Sequence, residues 1–295
     1  MTAVSVKTRL VIRPLSELMH MSKKVWFITG TSRGFGRVWA EAALARGDSV
    51  AATVRDIASL NDLVESYGDA ILPLALDVTN RGAVFAAVEQ AHRHFGRLDV
   101  VLSNAGYGLF GTIEETDEAA ARAQFETNFF GSLWIIQAAL PLLRSQGGGH
   151  VLAVSSLAGV ITFPTAGVYV ASKWAVEGLC DALAKEVADF GIKVTLIEPG
   201  GYDTDWHGTS AHHATKLDAY SGLREKLAAA HGSRALGNAE ATAEAILAVV
   251  DAQTPPLRLL LGDTALQIAE HAYADRLATW RQWESVSKAA QGNAG

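Results

Sequence analysis

Val25-Trp26-Phe27-Ile28-Thr29-Gly30-Thr31-Ser32-Arg33-Gly34-Phe35-Gly36 decides the reading of this chain. Val25 to Thr29 is a short apolar run, the pattern of a buried strand. Gly30, Gly34 and Gly36 follow, and a helical pattern begins at about Gly34 and runs to Arg46. Gly47-Asp48 ends that helix, and Ser49 to Val54 reads as a second strand. Strand, glycine turn, helix and strand make a βαβ unit with its loop at the carboxyl end of the first strand. Glycines let the backbone approach a pyrophosphate, and the helix N-terminus supplies amides and positive dipole. The bland alternative is a glycine turn that binds nothing; the spacing GxxxGxG also differs from the common GxGxxG.

The end of the second strand selects between dinucleotides. An acid there holds the free ribose hydroxyls of NAD, and a base accepts the extra phosphate of NADP. Here the strand ends Thr53-Val54-Arg55. Arg55, with Arg33 from the glycine loop, could clamp a phosphate by forked hydrogen bonds, so NADP(H) is preferred and NAD(H) stays possible. Asp56 follows and fits the N-cap of the next helix.

The alternation continues. Ala70 to Leu76 is a third strand, ending at Asp77-Val78. Asp77 could accept from an adenine amine; equally, Asp77 or Thr79 could cap the helix that runs from about Arg81 to Phe95. Leu98 to Ser103 is a fourth strand, followed by Asn104-Ala105-Gly106, small residues against which a cofactor could lie. Asn104 could also be a turn residue alone. Glu118 to Ser145 reads as one long helix, with Pro141 as its one interruption. Within it Asn128 stands among Phe125, Phe129 and Phe130, where a polar group must find hydrogen bonds. His150 to Val154 is the fifth strand, ending in Ser155-Ser156, and Ile192 to Ile197 is the sixth, ending at Glu198-Pro199-Gly200-Gly201 with Thr204 shortly after. A seventh, Leu257 to Leu261, follows Pro255-Pro256. The expected fold is α/β: a doubly wound, mostly parallel seven-stranded sheet with helices on both faces, in a single domain.

Tyr169-Val170-Ala171-Ser172-Lys173 lies in a helix predicted from Val168 to Phe190. A Tyr and a Lys four positions apart share one face, one turn apart. A free phenol titrates near ~10, and a nearby ammonium lowers that value, which suits acid/base work on an alcohol or ketone. Alone the pair is common. Ser156, thirteen residues before Tyr169 at a strand end, can lie beside it.

Bulk properties narrow the partners. The 295 residues are 49% hydrophobic and 19% charged, which is globular. A net charge of −6 gives no basic field for nucleic acid. The single Cys180 excludes an internal disulfide, and no apolar run reaches the ~18 residues of a membrane span. Residues 1–21 carry Lys7, Arg9, Arg13 and Pro14 without a secretory pattern and read as a loose extension; 22–295 is the domain, and a cytoplasmic location is expected. The stretch 200–236 is the least regular and suits a lid over the substrate. It holds the adjacent pair His212-His213, a poor metal chelate by itself, so no metal is expected. Thr264 to Val286 reads as a final amphipathic helix with Leu266, Ala269, Tyr273, Leu277 and Trp280 along one face, packed on the domain or on a partner subunit.

Taken together these motifs resemble the short-chain dehydrogenase/reductase family, in its single-domain branch, over about Lys24 to Leu261. Thr29 to Gly36 matches its TGxxxGxG. Ser103-Asn104-Ala105-Gly106 matches its NNAG with Ser in the first position. Asn128, Ser156, Tyr169 and Lys173 match its catalytic tetrad, and Pro199-Gly200 with Thr204 matches the turn that holds the nicotinamide amide. The resemblance implies that Tyr169 passes the proton to or from the substrate oxygen and that Lys173 lowers its pKa and binds the nicotinamide ribose. It implies that Ser156 hydrogen-bonds the substrate oxygen and that Asn128 supports a water linking Lys173 to solvent. It also implies a homodimer or homotetramer. The cofactor-binding set is then Gly30, Ser32, Arg33, Gly34, Phe35 and Gly36, with Arg55, Asp77, Val78, Asn104, Ala105, Gly106, Tyr169, Lys173, Pro199, Gly200 and Thr204. Tyr107, Phe110, Phe163 and Trp206, together with Leu109 and Pro164, are the candidate substrate walls, apolar and aromatic. The expected activity is hydride transfer between NADP(H) and a fairly apolar ketone, aldehyde or secondary alcohol. A competing reading is a sensor or scaffold that binds NADP without turnover; such proteins tend to lose the Tyr or the Lys, and this chain keeps both.

Overall fold

Residues 23–204, 211–231 and 235–292 are described by the structure, a computed structural model. Seven strands form the central sheet: β1 (Val25–Thr29), β2 (Ser49–Val54), β3 (Ile71–Ala75), β4 (Val100–Ser103), β6 (Gly149–Val154), β7 (Ile192–Pro199) and β11 (Arg258–Leu261). Their order across the sheet is β11-β7-β6-β4-β1-β2-β3, and every pairing is parallel. The order reverses between β1 and β4, so the carboxyl ends of these two strands open a crevice. Every residue of β1 and β2 is buried, which is why these strands read as continuous apolar runs rather than alternating ones.

Alternation reappears in what each residue touches. Trp26 and Ile28 pack with Trp39, Ala40 and Ile246 on one face; Val25 and Phe27 pack with Val88, Ile135 and Val176 on the other. The helices Gly34–Ala45 and Thr242–Asp251 cover the first face, and Arg81–Phe95, Gly131–Ser145 and Gly167–Glu186 cover the second.

The details depart from the sequence pattern in four places. The predicted helix 118–145 is Glu118–Phe125 and Gly131–Ser145 joined by a π-turn, Glu126–Phe130, that carries Asn128. Pro141 stays inside the second of these and is exposed, where water can serve the carbonyl it leaves unpaired. The helix of Tyr169 is Gly167–Glu186 and stops short of Phe190. The last helix ends at Gln282 and a short one, Glu284–Ala290, follows. Its packed side is Ala265 and Ala269 with Ile268 and Ala272, whereas Leu266, Tyr273, Leu277 and Trp280 are exposed. Small side chains bring the helix close to Leu157, Val160 and Ile161, and the large ones are left on the adjoining, exposed face.

Two small parallel ladders tie down the segment after Gly200. β8 (Tyr202–Asp203) pairs with β10 (Gly237–Asn238), and β9 (His212–His213) pairs with β5 (Leu109–Phe110). Between them lies the helix Ser221–His231.

The helix that opens at the glycine turn is anchored by one buried bond. Trp39 Nε1 donates to Thr242 Oγ1 at 2.8 Å, and Trp39 is 1% exposed. In Thr242→Val the indole N–H has no acceptor, and the expected loss is about 1–3 kcal/mol in a thermal or urea unfolding experiment. Thr242→Ser, which keeps the oxygen, restores most of it.

Candidate active site

A cleft of about 640 Å³ lies over the carboxyl ends of the strands. The glycine turn forms one wall. Asn104 locks it in place: its Nδ2 donates to Thr29 O at 2.9 Å and Gly30 O at 3.1 Å, while its backbone N–H donates to Thr29 Oγ1 at 3.0 Å. The turn at Asn104 is therefore a clamp between β1 and β4. A Cβ at Gly36 would stand 2.3 Å from Gly30 O and 2.4 Å from Asn104 Nδ2, so only hydrogen fits there. The floor continues at Ala105 and Gly106, where a Cβ on Gly106 would meet Asn128 Oδ1 at 3.0 Å and Lys173 Nζ at 3.7 Å. Bare backbone beside a helix N-terminus suits a pyrophosphate with a flat group lying along the strand ends.

Most of the residues singled out from the sequence converge here. Gly30, Ser32, Arg33, Gly34 and Phe35 line the cleft on one side, and Arg55, Asp77 and Val78 on another. Asn104, Ala105, Gly106, Pro199, Gly200 and Thr204 complete the lining, with Ser156, Tyr169 and Lys173. Gly36 and Asn128 stand behind it as buried supports. Asp56 is the predicted cap, accepting from Ala58 N at 3.1 Å. The cap of the helix Arg81–Phe95 is neither Asp77 nor Thr79 but Asn80, which accepts from Ala83 N at 3.0 Å; Asp77 Oδ1 accepts instead from Thr79 N and Oγ1.

The candidate substrate walls divide. Tyr107 lines the cleft, and partial burial pushes its phenol up. Phe110 stacks on His213 at 5.3 Å and packs with Tyr169 in an apolar cluster of Ala158, Ala166 and Val170, outside the lining proper. Leu109 is buried. Phe163 is 39% exposed and stands outside the lining, as does Pro164. Trp206 lies outside the described residues. Tyr202 and His212 line the cleft without having been singled out for it. Tyr202 comes in through an edge-on contact with Phe35 at 5.4 Å, and His212 through the β5–β9 pairing, contacts that local sequence does not encode.

Tyr169 and Lys173 are both buried, at 5% exposure each. The helix that carries them starts after Thr165, a β-branched residue held at φ 64 with its carbonyl accepting from Gly111 N at 2.8 Å. Ser156 hydrogen-bonds the Tyr169 hydroxyl; its Oγ also accepts from Ala158 N at 3.1 Å. Lys173 Nζ donates to Val154 O at 2.8 Å and lies 5.8 Å from the Tyr169 ring centroid. Asn128 uses both ends of its amide: Oδ1 accepts from Tyr107 N at 3.1 Å, and Nδ2 donates to Tyr107 O at 3.1 Å and Ser172 Oγ at 3.2 Å.

One electrostatic expectation is reversed. Burial pushes the Tyr169 phenol up to about 12 against the opposing bond from Ser156, and burial pushes the Lys173 ammonium down to about 8. Desolvation disfavours the charged form of each and outweighs the bond from Ser156 at Tyr169 and the charge of Glu177 at Lys173, whose ammonium is turned onto the Val154 carbonyl.

Outside the cleft, the described stretch 211–231 is fastened by Glu115, whose side chain is 1% exposed. Glu115 accepts from Thr112 N at 2.8 Å, Leu217 N at 2.7 Å and Arg224 Nη1 at 2.7 Å, which hold its carboxyl down at about 2. Among the described residues there is no cluster of metal-ligating side chains, and no helix is long and apolar enough to cross a membrane.

The chain is similar in sequence and fold to known proteins. The family model for short chain dehydrogenases matches residues 24–215. The oxidoreductase BOA17 of Botryotinia fuckeliana is 43% identical over 271 residues, which are 90% of this chain and 98% of that one. A short-chain dehydrogenase from Streptomyces avermitilis superposes with a TM-score of 0.85 at 37% identity, covering 91% of this chain and 98% of that one. One from Burkholderia cenocepacia, solved with NADP, gives a TM-score of 0.72 at 27% identity over 88% and 97% of the two chains. With its parallel seven-stranded sheet, glycine turn and paired Tyr169 and Lys173, this chain belongs to the short-chain dehydrogenase family, as an oxidoreductase that works with a nicotinamide cofactor.

Proposed function

We propose that the protein transfers a hydride between NADP(H) and a fairly apolar ketone, aldehyde or secondary alcohol. The observation that carries this reading is the hydroxyl of Tyr169, buried, bonded by Ser156 and one helical turn from Lys173 at the end of a glycine-floored cleft. Carbonyl reduction builds negative charge on oxygen and needs a proton donor and an orienting donor at that one atom. Tyr169 serves as the first and Ser156 as the second. Bound in the cleft, the nicotinamide would supply or accept the hydride. Gly30, Arg33 and Gly34 would hold its pyrophosphate side, Asn104 to Gly106 its middle, and Pro199, Gly200 and Thr204 its amide. Lys173, uncoupled from Val154, would reach the ribose and oppose the burial that raises Tyr169.

The preference for NADP rests on Arg33 and Arg55, both of which line the cleft. The preference for an apolar substrate is supported by the cluster of Phe110, Ala158, Ala166, Val170 and Trp174 around Tyr169. Residues 200–236 act as a lid, and Glu115 is its fastening point.

Three outcomes are expected. Tyr169→Phe loses about a hundredfold or more in kcat while NADPH binding, read by fluorescence, stays near the parent value; unchanged turnover would remove Tyr169 from its role. Arg55→Ala raises KM for NADPH about tenfold and leaves that for NADH nearly unchanged, as expected for one charge-assisted contact; a parent enzyme that prefers NADH would contradict the assignment. Glu115→Ala speeds proteolysis within 211–231 and raises KM for the carbonyl substrate more than KM for the cofactor.

A further inference from the structure

Behind the reaction centre lies a second set of ionisable groups. Glu177 continues the ladder of Tyr169 and Lys173 by one more turn and is 5% exposed; Glu198, the residue before Pro199, is 1% exposed. Arg258 reaches both from β11: its Nε donates to Glu177 Oε2 at 2.9 Å and lies 3.6 Å from Glu198 Oε1, while its Nη2 donates to Asp181 Oδ2 at 2.9 Å. Ser155, next to Ser156 in the chain, is 2% exposed, and its hydroxyl bears on Glu177. A Cβ at Gly159 would meet Ser155 Oγ at 2.2 Å and Glu177 Oε1 at 3.1 Å, so these two atoms flank one point.

Both carboxyls of the buried pair, Glu177 and Glu198, turn an oxygen inward. Asp181 is paired with Lys185 as well as with Arg258, so the buried Glu177 and Glu198 are left to share one guanidinium, with Lys173 one turn back along the helix. Glu177 Oε1 and Glu198 Oε1 are buried oxygens to which Arg258 donates no hydrogen bond, and the Ser155 hydroxyl bears on Glu177 alone. Two buried carboxyls that bear on each other resist ionising together, and one proton shared between them gives both oxygens a partner.

We propose that Glu198 keeps a proton which it donates to Glu177, and that ionised Glu177, gripped by Arg258, is a positioning residue that holds the positive charge on Lys173. The inference rests on the reading of Lys173 as the group that tunes Tyr169. Arg258 Nε stands 2.9 Å from Glu177 and 3.6 Å from Glu198, which leaves Glu198 the proton carrier; burial raises both carboxyls, and the charge of Glu177 adds to the rise of Glu198. The groups facing Glu177 are Asp181 and Cys180 from its own helix, Ser155 from the end of β6, Glu198 from β7 and Arg258 from β11. Those facing Lys173 are Tyr169 and Glu177 from its helix, the Val154 carbonyl from β6 and the amide of Asn128 across Gly106. Glu177 is thus the anion set against the desolvation that drives Lys173 towards its neutral form.

The test is the titration of Lys173 in the full chain, read by NMR of side-chain labelled lysine and assigned by its absence in Lys173→Met. Glu177→Gln is expected to lower the Lys173 midpoint by about one pH unit. Glu198→Gln, the neutral mimic of a protonated carboxyl, is expected to move it less than half as far. Glu198→Gln should also delete a protonated-carboxyl band from the infrared spectrum at neutral pH. No shift in Glu177→Gln, a larger shift in Glu198→Gln, or a band that survives Glu198→Gln overturns the proposal. If Glu177→Gln does not fold, the Glu198→Gln midpoint and band decide the matter. Neither readout needs turnover, so failure of the proposed reaction would show in Tyr169→Phe and failure of this inference would not.

Discussion

The clamp at Asn104 is the constraint on which the site depends. Its side chain and backbone tie the end of β4 to Thr29 and Gly30 at the end of β1, the two strands between which the sheet order reverses. Parallel neighbours reversed at one point leave a crevice that no crossover helix fills. Without the clamp the crevice would be a gap between two loops. With it, backbone from both loops becomes a floor, and Gly36 has to be glycine because the clamp occupies the space its side chain would need.

The catalytic side chains are set against that floor by packing as much as by hydrogen bonds. Asn128 sits at a π-turn, where one extra residue in the helix re-aims its amide towards Tyr107 and Ser172. The helix Gly167–Glu186 turns a polar stripe inward, Tyr169, Lys173 and Glu177, between Val170, Val176 and Leu183. Burying such a stripe costs desolvation free energy, and the shifts of Tyr169 and Lys173 towards their neutral forms record that cost. The compensating contacts come from strand ends: Val154 for Lys173, Ser156 for Tyr169, Arg258 for Glu177.

The order of strands and helices was legible because each central strand is a continuous buried run and each turn is marked by glycine or a capping side chain. Gly30 to Gly36 placed the glycine turn, and the i, i+4 spacing placed Tyr169 over Lys173. Other features depend on contacts between segments remote in sequence. The π-turn at Asn128 differs from an α-helix by one residue, a change that apolar periodicity does not register. His212 reaches the cleft only because it pairs with Leu109. Leu266, Tyr273, Leu277 and Trp280 form an apolar row that the fold leaves exposed, since alanines on the neighbouring face give the closer fit. Glu177 did carry a signal, one more step of the ladder from Tyr169. Its meaning needed Glu198 and Arg258, which come to it from two other strands. The phenol of Tyr169 was expected to be lowered, and burial raises it, because sequence spacing gives proximity but not desolvation.

The central claim, that the cleft joins a nicotinamide hydride to an oxygen served by Tyr169, is tested most directly by following the hydride itself. Reduction of an apolar ketone with NADPH deuterated at C4 of the nicotinamide, prepared separately on each face, should place deuterium on the new carbinol carbon from one of the two preparations. Product alcohol free of deuterium from both would contradict the account.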